Sequence, residues 1–132
     1  MPSLVEVVAA LIQDAVGRYL VTQRRKGSHL AGLWEFPGGK REAGESLEEA
    51  LRRELTEELS ARFGVGALVE SVRWEYPERT VLIHFYRCRL EAGTIEPRED
   101  QAMAWVAPER LSELDFPPAD RDLITRLRAG AS

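Results

Sequence analysis

Val, Leu, Ile and Ala crowd the segment from Ser3 to Gln13, a pattern that predicts a largely buried strand. Asp14 to Gly17 supplies turn chemistry, and Arg18 to Gln23 (RYLVTQ) reads as the returning strand of a hairpin. Arg24 to Gly32 is basic and irregular, with Gly27 and Gly32 as breakers. Leu33 to Phe36 is a short apolar strand-like piece, stopped by Pro37, Gly38 and Gly39.

The clearest helix runs from about Ser46 to Leu59. Ser46 is a good N-cap, and Glu49 three residues later completes a capping-box pattern. Leu47, Leu51, Leu55 and Leu59 recur every fourth residue beside Ala50 and form one apolar stripe. Gly64 and Gly66 then break the chain. Ala67 to Tyr76 and Thr80 to Leu90 read as two strands around a turn at Pro77, Glu78 and Arg79. A polar loop from Glu91 to Asp100 leads to a short strand from Gln101 to Val106. Pro108 to Leu111 opens a helical turn, and a last helix runs from Pro118 or Ala119 to Leu127, with Leu123, Ile124 and Leu127 on one face. Strands and helices mix without strict alternation, which favours an α+β or layered α/β/α sandwich over a doubly wound sheet.

The 132 residues suggest a single domain spanning 1–132, large enough to fold without disulfides or a structural metal. Cys88 is the only cysteine, so no intrachain disulfide is possible and a reducing, cytoplasmic location is expected. Its strand-like neighbours point to a packed thiol rather than a nucleophile. The apolar run LVEVVAALI is interrupted by Glu6 and lacks a basic leader. It is too short to span a bilayer and a poor signal peptide, so no membrane partner is expected. A net charge of −4 argues against stable nucleic-acid binding, although it leaves a nucleotide substrate open.

Charge is not spread evenly. Between Lys40 and Glu58 lie seven carboxylates (Glu42, Glu45, Glu48, Glu49, Glu54, Glu57 and Glu58), opposed only by Lys40, Arg41, Arg52 and Arg53. Glu54, Glu57 and Glu58 fall at i, i+3 and i+4, on one face of the expected helix. Like charges at that spacing repel, and the last helical turns disfavour anions. The segment is therefore either a solvated acidic face or a site for hard divalent cations, which take carboxylate and water oxygens and share substrate phosphates.

Read together with the glycines, the segment matches the Nudix box, and the chain resembles a MutT-like Nudix hydrolase. Gly39, Glu45, Arg53, Glu54, Leu55, Glu57 and Glu58 occupy specified positions of that pattern. Two positions depart: Ser60 replaces the closing glycine, and Ala61 replaces a larger aliphatic residue. LWEFPGGK before the box and LDFPPAD near the end also look like MutT-family segments. The resemblance implies an α/β/α sandwich built on a mixed sheet, and Mg²⁺-dependent (Mn²⁺ as the alternative ion) hydrolysis of a nucleoside triphosphate to monophosphate and pyrophosphate. It implies Glu54, Glu57 and Glu58 as metal ligands, with Glu54 orienting or deprotonating the attacking water. Glu45 and Arg53 would form a supporting salt bridge, and backbone groups around Gly38 and Gly39 would approach the metal or phosphates. Glu99, in PREDQ, aligns with a further family carboxylate, and is otherwise an exposed loop acid.

For the substrate, the resemblance implies a phosphate contact from Arg24 and positions near the nucleotide for His29 and Arg79. Phe36 either walls or stacks on a base or is a core aromatic ending a strand. His84 is read as structural. Asp120 stands where an asparagine of the family's oxidised-guanine-specific member reads the base edge; otherwise it is a helix cap. An ionised Asp only accepts hydrogen bonds, whereas Asn also donates. The substrate expected first is 8-oxo-dGTP or a related (d)NTP in nucleotide-pool sanitation. CTP or 5-methyl-dCTP and a non-catalytic nucleotide-binding module stand as alternatives, and either a monomer or a homodimer is compatible.

Overall fold

Strand β1 (Ser3–Ile12) organises the molecule because its alternating side chains serve two cores. The computed structural model describes residues 3–24, 32–98 and 101–130. Val8, Ala10 and Ile12 point into one core, shared with Phe63, Tyr86 and the buried stripe Ala50, Leu51, Leu55 and Leu59 of helix α1 (Leu47–Leu59). Ala9 and Leu11 point into the other, closed by Leu123, Ile124 and Leu127 of α2 (Arg121–Arg128). The two helices therefore lie on opposite sides of the strands, in an α/β/α sandwich.

β2 (Tyr19–Gln23), β3 (Trp34–Glu35), β4 (Gly38–Lys40), β5 (Arg62–Glu75), β6 (Arg79–Ala92) and β7 (Met103–Val106) complete the strands. A four-stranded sheet has the order β4-β1-β6-β5, and a three-stranded sheet has the order β3-β2-β7. β1 and β6 run parallel, with Val5 opposite Val81, Val7 opposite Ile83 and Ala9 opposite Phe85. The other pairings are antiparallel, so the larger sheet is mixed.

Three sequence expectations are corrected. β1 and β2 do not form a hairpin. The Asp14 turn is present, its carboxylate accepting from the Val16 and Arg18 amides, but only an isolated bridge from Gln13 to Tyr19 joins the strands. β2 instead pairs with β3 and β7, because Val21 and Tyr19 fill the α2-side core. β3 ends before Pro37 as expected, but Gly38 and Gly39 are not merely breakers: they begin a further strand, β4, laid antiparallel on β1. Gly64 and Gly66 lie inside β5, beside a register irregularity between Val65 and Leu68, rather than breaking the chain.

Helix α1 begins as its local signals dictate, with the Ser46 side chain accepting from the Glu49 amide and the Glu49 carboxylate from the Ser46 amide. It ends at Ser60, which adopts φ 61° and ψ 25° in the left-handed region. β5 and β6 turn through Pro77 and Glu78, with Tyr76 and Arg79 closing the hairpin by backbone bonds of 2.8 and 3.3 Å. Two 3-10 turns, Pro108–Glu113 and Pro118–Asp120, lead into α2. Cys88 is buried, and burial pushes its thiol up to about 12, which leaves it protonated and unreactive at neutral pH. Among the described residues no helix is long and apolar enough to cross a membrane.

Candidate active site

The parallel register of β1 and β6 sets Val5, Val7 and Ala9 beside Val81, Ile83 and Phe85 on one face of the larger sheet. These six line the apolar part of a cavity of about 360 Å³. Around them stand Gly38, Gly39, Lys40, Glu54, Glu57 and Glu58 from β4 and α1, and Arg24, Glu35, Tyr76, Arg79, Gln101 and Asp120 from separate segments. The cavity thus joins an acidic helix face to an apolar floor and a set of polar groups.

The helix face is ordered by Arg53. Its Nε donates to Glu45 at 2.6 Å and one terminal nitrogen donates to the other Glu45 oxygen at 3.0 Å, a bidentate pair. The same nitrogen reaches the Lys40 carbonyl at 3.0 Å, tying the helix to the end of β4. The remaining nitrogen donates to Glu54 at 3.0 Å and to Glu57 at 3.4 Å. These hydrogen bonds hold Glu45 below its ordinary range, Arg53 first and the Glu42 amide second, and they raise Arg53. One guanidinium therefore neutralises much of the repulsion that the i, i+3 and i+4 spacing creates.

Glu54 is half-buried, and burial raises its pKa against the opposing pull of Arg53, with Glu57 adding repulsion. Its carboxyl lies against Gly39, where any Cβ would overlap it. Gly38 is equally constrained, since its Cβ would collide with the Val8 carbonyl. Absence of side chains here lets the carboxylates come up to bare backbone. Glu58 shows this directly: it accepts from the Gly38 amide and from Thr22 Oγ1, each at 3.4 Å. Glu57 is 60% exposed.

Among the described residues, no three His, Cys, Asp or Glu side chains form a ready-made metal cluster. The donor chemistry nevertheless suits a hard cation: three carboxylates on one helix face, one of them seated in the space that Gly39 leaves open. Glu54, Glu57 and Glu58 are the described residues that could hold such an ion. Glu99 and His29 lie outside the described residues. Arg98, however, donates its amide to the Glu58 carbonyl at 3.0 Å and Gln101 donates to the same carbonyl at 3.4 Å.

At the other end, Asp120 is 5% exposed and makes no capping hydrogen bond to α2. Burial first, and the charge of Glu35 second, push its pKa up to about 7. Tyr76 is raised as well, by burial and then by Asp120. Arg24 pairs with Glu35 at 2.7 Å. Phe36 is a core aromatic whose edge reaches the cavity: it is 3% exposed, stacked on Phe116 and edge-on to Tyr19 and Phe85. His84 lies outside the cavity lining, bonded to Ser71 and Glu6.

Sequence reasoning missed Glu35, Tyr76, Gln101 and the Val–Ile floor. The floor had a usable signal, the alternation Val5, Val7, Ala9 against Val81, Ile83, Phe85, which a continuous apolar run concealed. Glu35 and Tyr76 carried none, because only the folded chain brings them together.

The mixed-sheet sandwich is the architecture of solved MutT-like structures. The chain belongs to the NUDIX domain family, whose model matches residues 7–126, and it is a MutT-like Nudix hydrolase. It is 40% identical over 126 residues to the CTP pyrophosphohydrolase of Escherichia coli strain K12, covering 96% of this chain and 93% of that protein. It is 39% identical over 124 residues to the 8-oxo-dGTP diphosphatase of Haemophilus influenzae, covering 94% and 91%. The MutT protein from Methanosarcina mazei superposes with a TM-score of 0.85 at 28% identity, covering 98% of this chain and 96% of that one.

Proposed function

We propose that the chain is a Mg²⁺-dependent nucleoside triphosphate diphosphatase that hydrolyses 8-oxo-dGTP or a related (d)NTP to monophosphate and pyrophosphate in nucleotide-pool sanitation. The observation that carries this reading is the joining, in one cavity, of Glu54, Glu57 and Glu58 to an apolar floor and Asp120. In this reading the protein is cytoplasmic and acts as a monomer or homodimer. The names of its relatives, an 8-oxo-dGTP diphosphatase and a CTP pyrophosphohydrolase, support the substrate class.

When bound, a divalent ion would neutralise phosphate charge and lower the pKa of a coordinated water. Glu54, Glu57 and Glu58, with the Gly38 backbone, would hold it. Glu54 is assigned to orient the attacking water and receive its proton, a task suited to a half-buried carboxylate whose pKa is raised. Arg53 keeps that carboxylate in place, and Glu45 keeps Arg53 in place. Arg24 is assigned to a phosphate and Arg79 to a position near the nucleotide, both lining the cavity, and Phe36 forms part of the wall beside the base. Asp120 reads the base edge. With a pKa near neutrality it offers either an acceptor or an O–H donor there.

The deciding experiment measures kcat/KM with Mg²⁺ on 8-oxo-dGTP, dGTP, dCTP, CTP and 5-methyl-dCTP, with products identified. Preference for 8-oxo-dGTP with pyrophosphate release supports the proposal. Preference for the cytosine nucleotides moves the assignment to CTP or 5-methyl-dCTP hydrolysis, and inactivity across the panel removes it.

A further inference from the structure

Arg41 stands outside the cavity, yet it makes four bonds around the loop that carries Glu45. Its amide donates to the Glu6 carbonyl at 3.0 Å. Its Nε and one terminal nitrogen donate to Glu6 Oε1 at 3.0 and 2.7 Å, and the other terminal nitrogen donates to the Glu45 carbonyl at 3.0 Å. Glu6 lies on β1, so the guanidinium bridges the sheet and the loop.

Glu6 is itself held. Its second oxygen meets His84 Nε2 at 3.1 Å, and His84 Nδ1 meets Ser71 Oγ at 2.7 Å. Ser71 and His84 are direct cross-strand partners on β5 and β6. With a neutral ring protonated on Nε2, the imidazole donates to Glu6 and accepts from Ser71, so both ring nitrogens are satisfied. The hydrogen bonds from His84 first, and from Arg41 second, keep Glu6 below its ordinary range.

We propose that Arg41 is a positioning residue, anchored on Glu6, His84 and Ser71, that fixes the loop from Arg41 to Ser46 and through it the Glu45–Arg53–Glu54 chain. The proposal rests on the hydrolase reading for its effect on turnover, though not for the effect on the loop. An exposed ion pair alone contributes little. Here the same guanidinium also bonds a backbone carbonyl of the residue whose side chain holds Arg53 at 2.6 Å, and Arg53 holds Glu54 at 3.0 Å. Any shift at Glu45 is thus two hydrogen bonds from Glu54. Lysine cannot copy the fork, because a single ammonium lacks the planar spread of donors that meets both acceptors.

The test compares Arg41→Met, Arg41→Lys and, as control, Arg18→Met, which breaks the Asp14 pair in the distant turn. Amide hydrogen exchange at residues 42–46 and steady-state kinetics are measured on each. Arg41→Met should speed exchange in that loop and lower kcat, each by about tenfold, with KM within about twofold of wild type. Arg41→Lys should fall between Arg41→Met and wild type, and the control should match wild type. Loop exchange in Arg41→Met equal to that of the control would overturn the proposal, as would a KM effect without a kcat effect. If the wild type hydrolyses none of the nucleotides, the hydrolase reading fails, and exchange alone still decides the role of Arg41.

Discussion

Gly39 and Glu54 occupy one another's space: a Cβ on Gly39 would overlap all three carboxyl atoms of Glu54. The glycine is there for the carboxylate, and the relationship gives a direct test. Gly39→Ala should lower kcat by at least about tenfold, because a displacement of about 1 Å is costly in a positioned site. The fold should persist, since the displaced group is the end of a side chain. Circular dichroism and steady-state turnover together check this, and unchanged turnover would contradict the role given to Glu54.

Glu54→Gln and Glu57→Gln should each lower activity by at least about 10²-fold while leaving the fold intact, because each removes charge from the face proposed to hold the metal. The two should differ in stability without metal. Glu54 is half-buried and raised by burial, so its neutralisation relieves desolvation, whereas Glu57 is largely exposed. Glu54→Gln should therefore melt no lower than Glu57→Gln in chelator. A lower Tm for Glu54→Gln would show that its bond to Arg53 outweighs the burial cost.

Asp120 should make stability fall as pH rises. Its folded pKa of about 7 exceeds its ordinary 3.8, so the native state binds more protons than the unfolded state between those values. The contribution is fully present below about pH 4 and is lost as pH rises through 7, by up to about 4 kcal/mol from the size of the shift. Asp120→Asn should remove that slope between pH 5 and 8 in denaturant titrations, and should also change base preference with little effect on metal dependence. Parallel slopes for the two proteins would refute the pH assignment, and an identical nucleotide profile would refute the role in base reading.

Ser60 pays a conformational cost that a glycine would avoid. Its φ of 61° lies in the left-handed region, while its amide still caps the helix by donating to Thr56 O at 3.1 Å. Ser60→Gly should stabilise the protein by roughly 1 kcal/mol, seen as a rise in Tm of a few degrees. Unchanged Tm would mean that the added freedom of glycine in the unfolded chain cancels the relief.

What the sequence made legible was local. Helix α1 was readable because its capping box and its leucine stripe both act within a few residues of themselves. The Asp14 turn was equally readable, yet the hairpin inferred from it was not there. A turn fixes where the chain reverses, and lateral pairing is chosen by which core the strand fills. β4 was hidden because two of its three residues lack side chains and so give no alternation; its place is set by the edge of β1. The Glu45–Arg53 pair could be anticipated from the box. The proximity of Glu35, Tyr76 and Asp120 could not, because they lie on three segments far apart in sequence that only the folded chain brings to one cavity.

The cavity is assembled unevenly. Its acidic end is a single stretch of chain from Gly38 to Glu58, whereas Arg24, Glu35, Tyr76 and Asp120 come from four separate places. In the proposed reading, a substitution at Asp120 alters base choice without disturbing the carboxylates, because the two ends are contributed by different segments of the chain. Turnover and selectivity can then be inherited independently. A lineage can explore new nucleotides one residue at a time while the reaction itself is held constant.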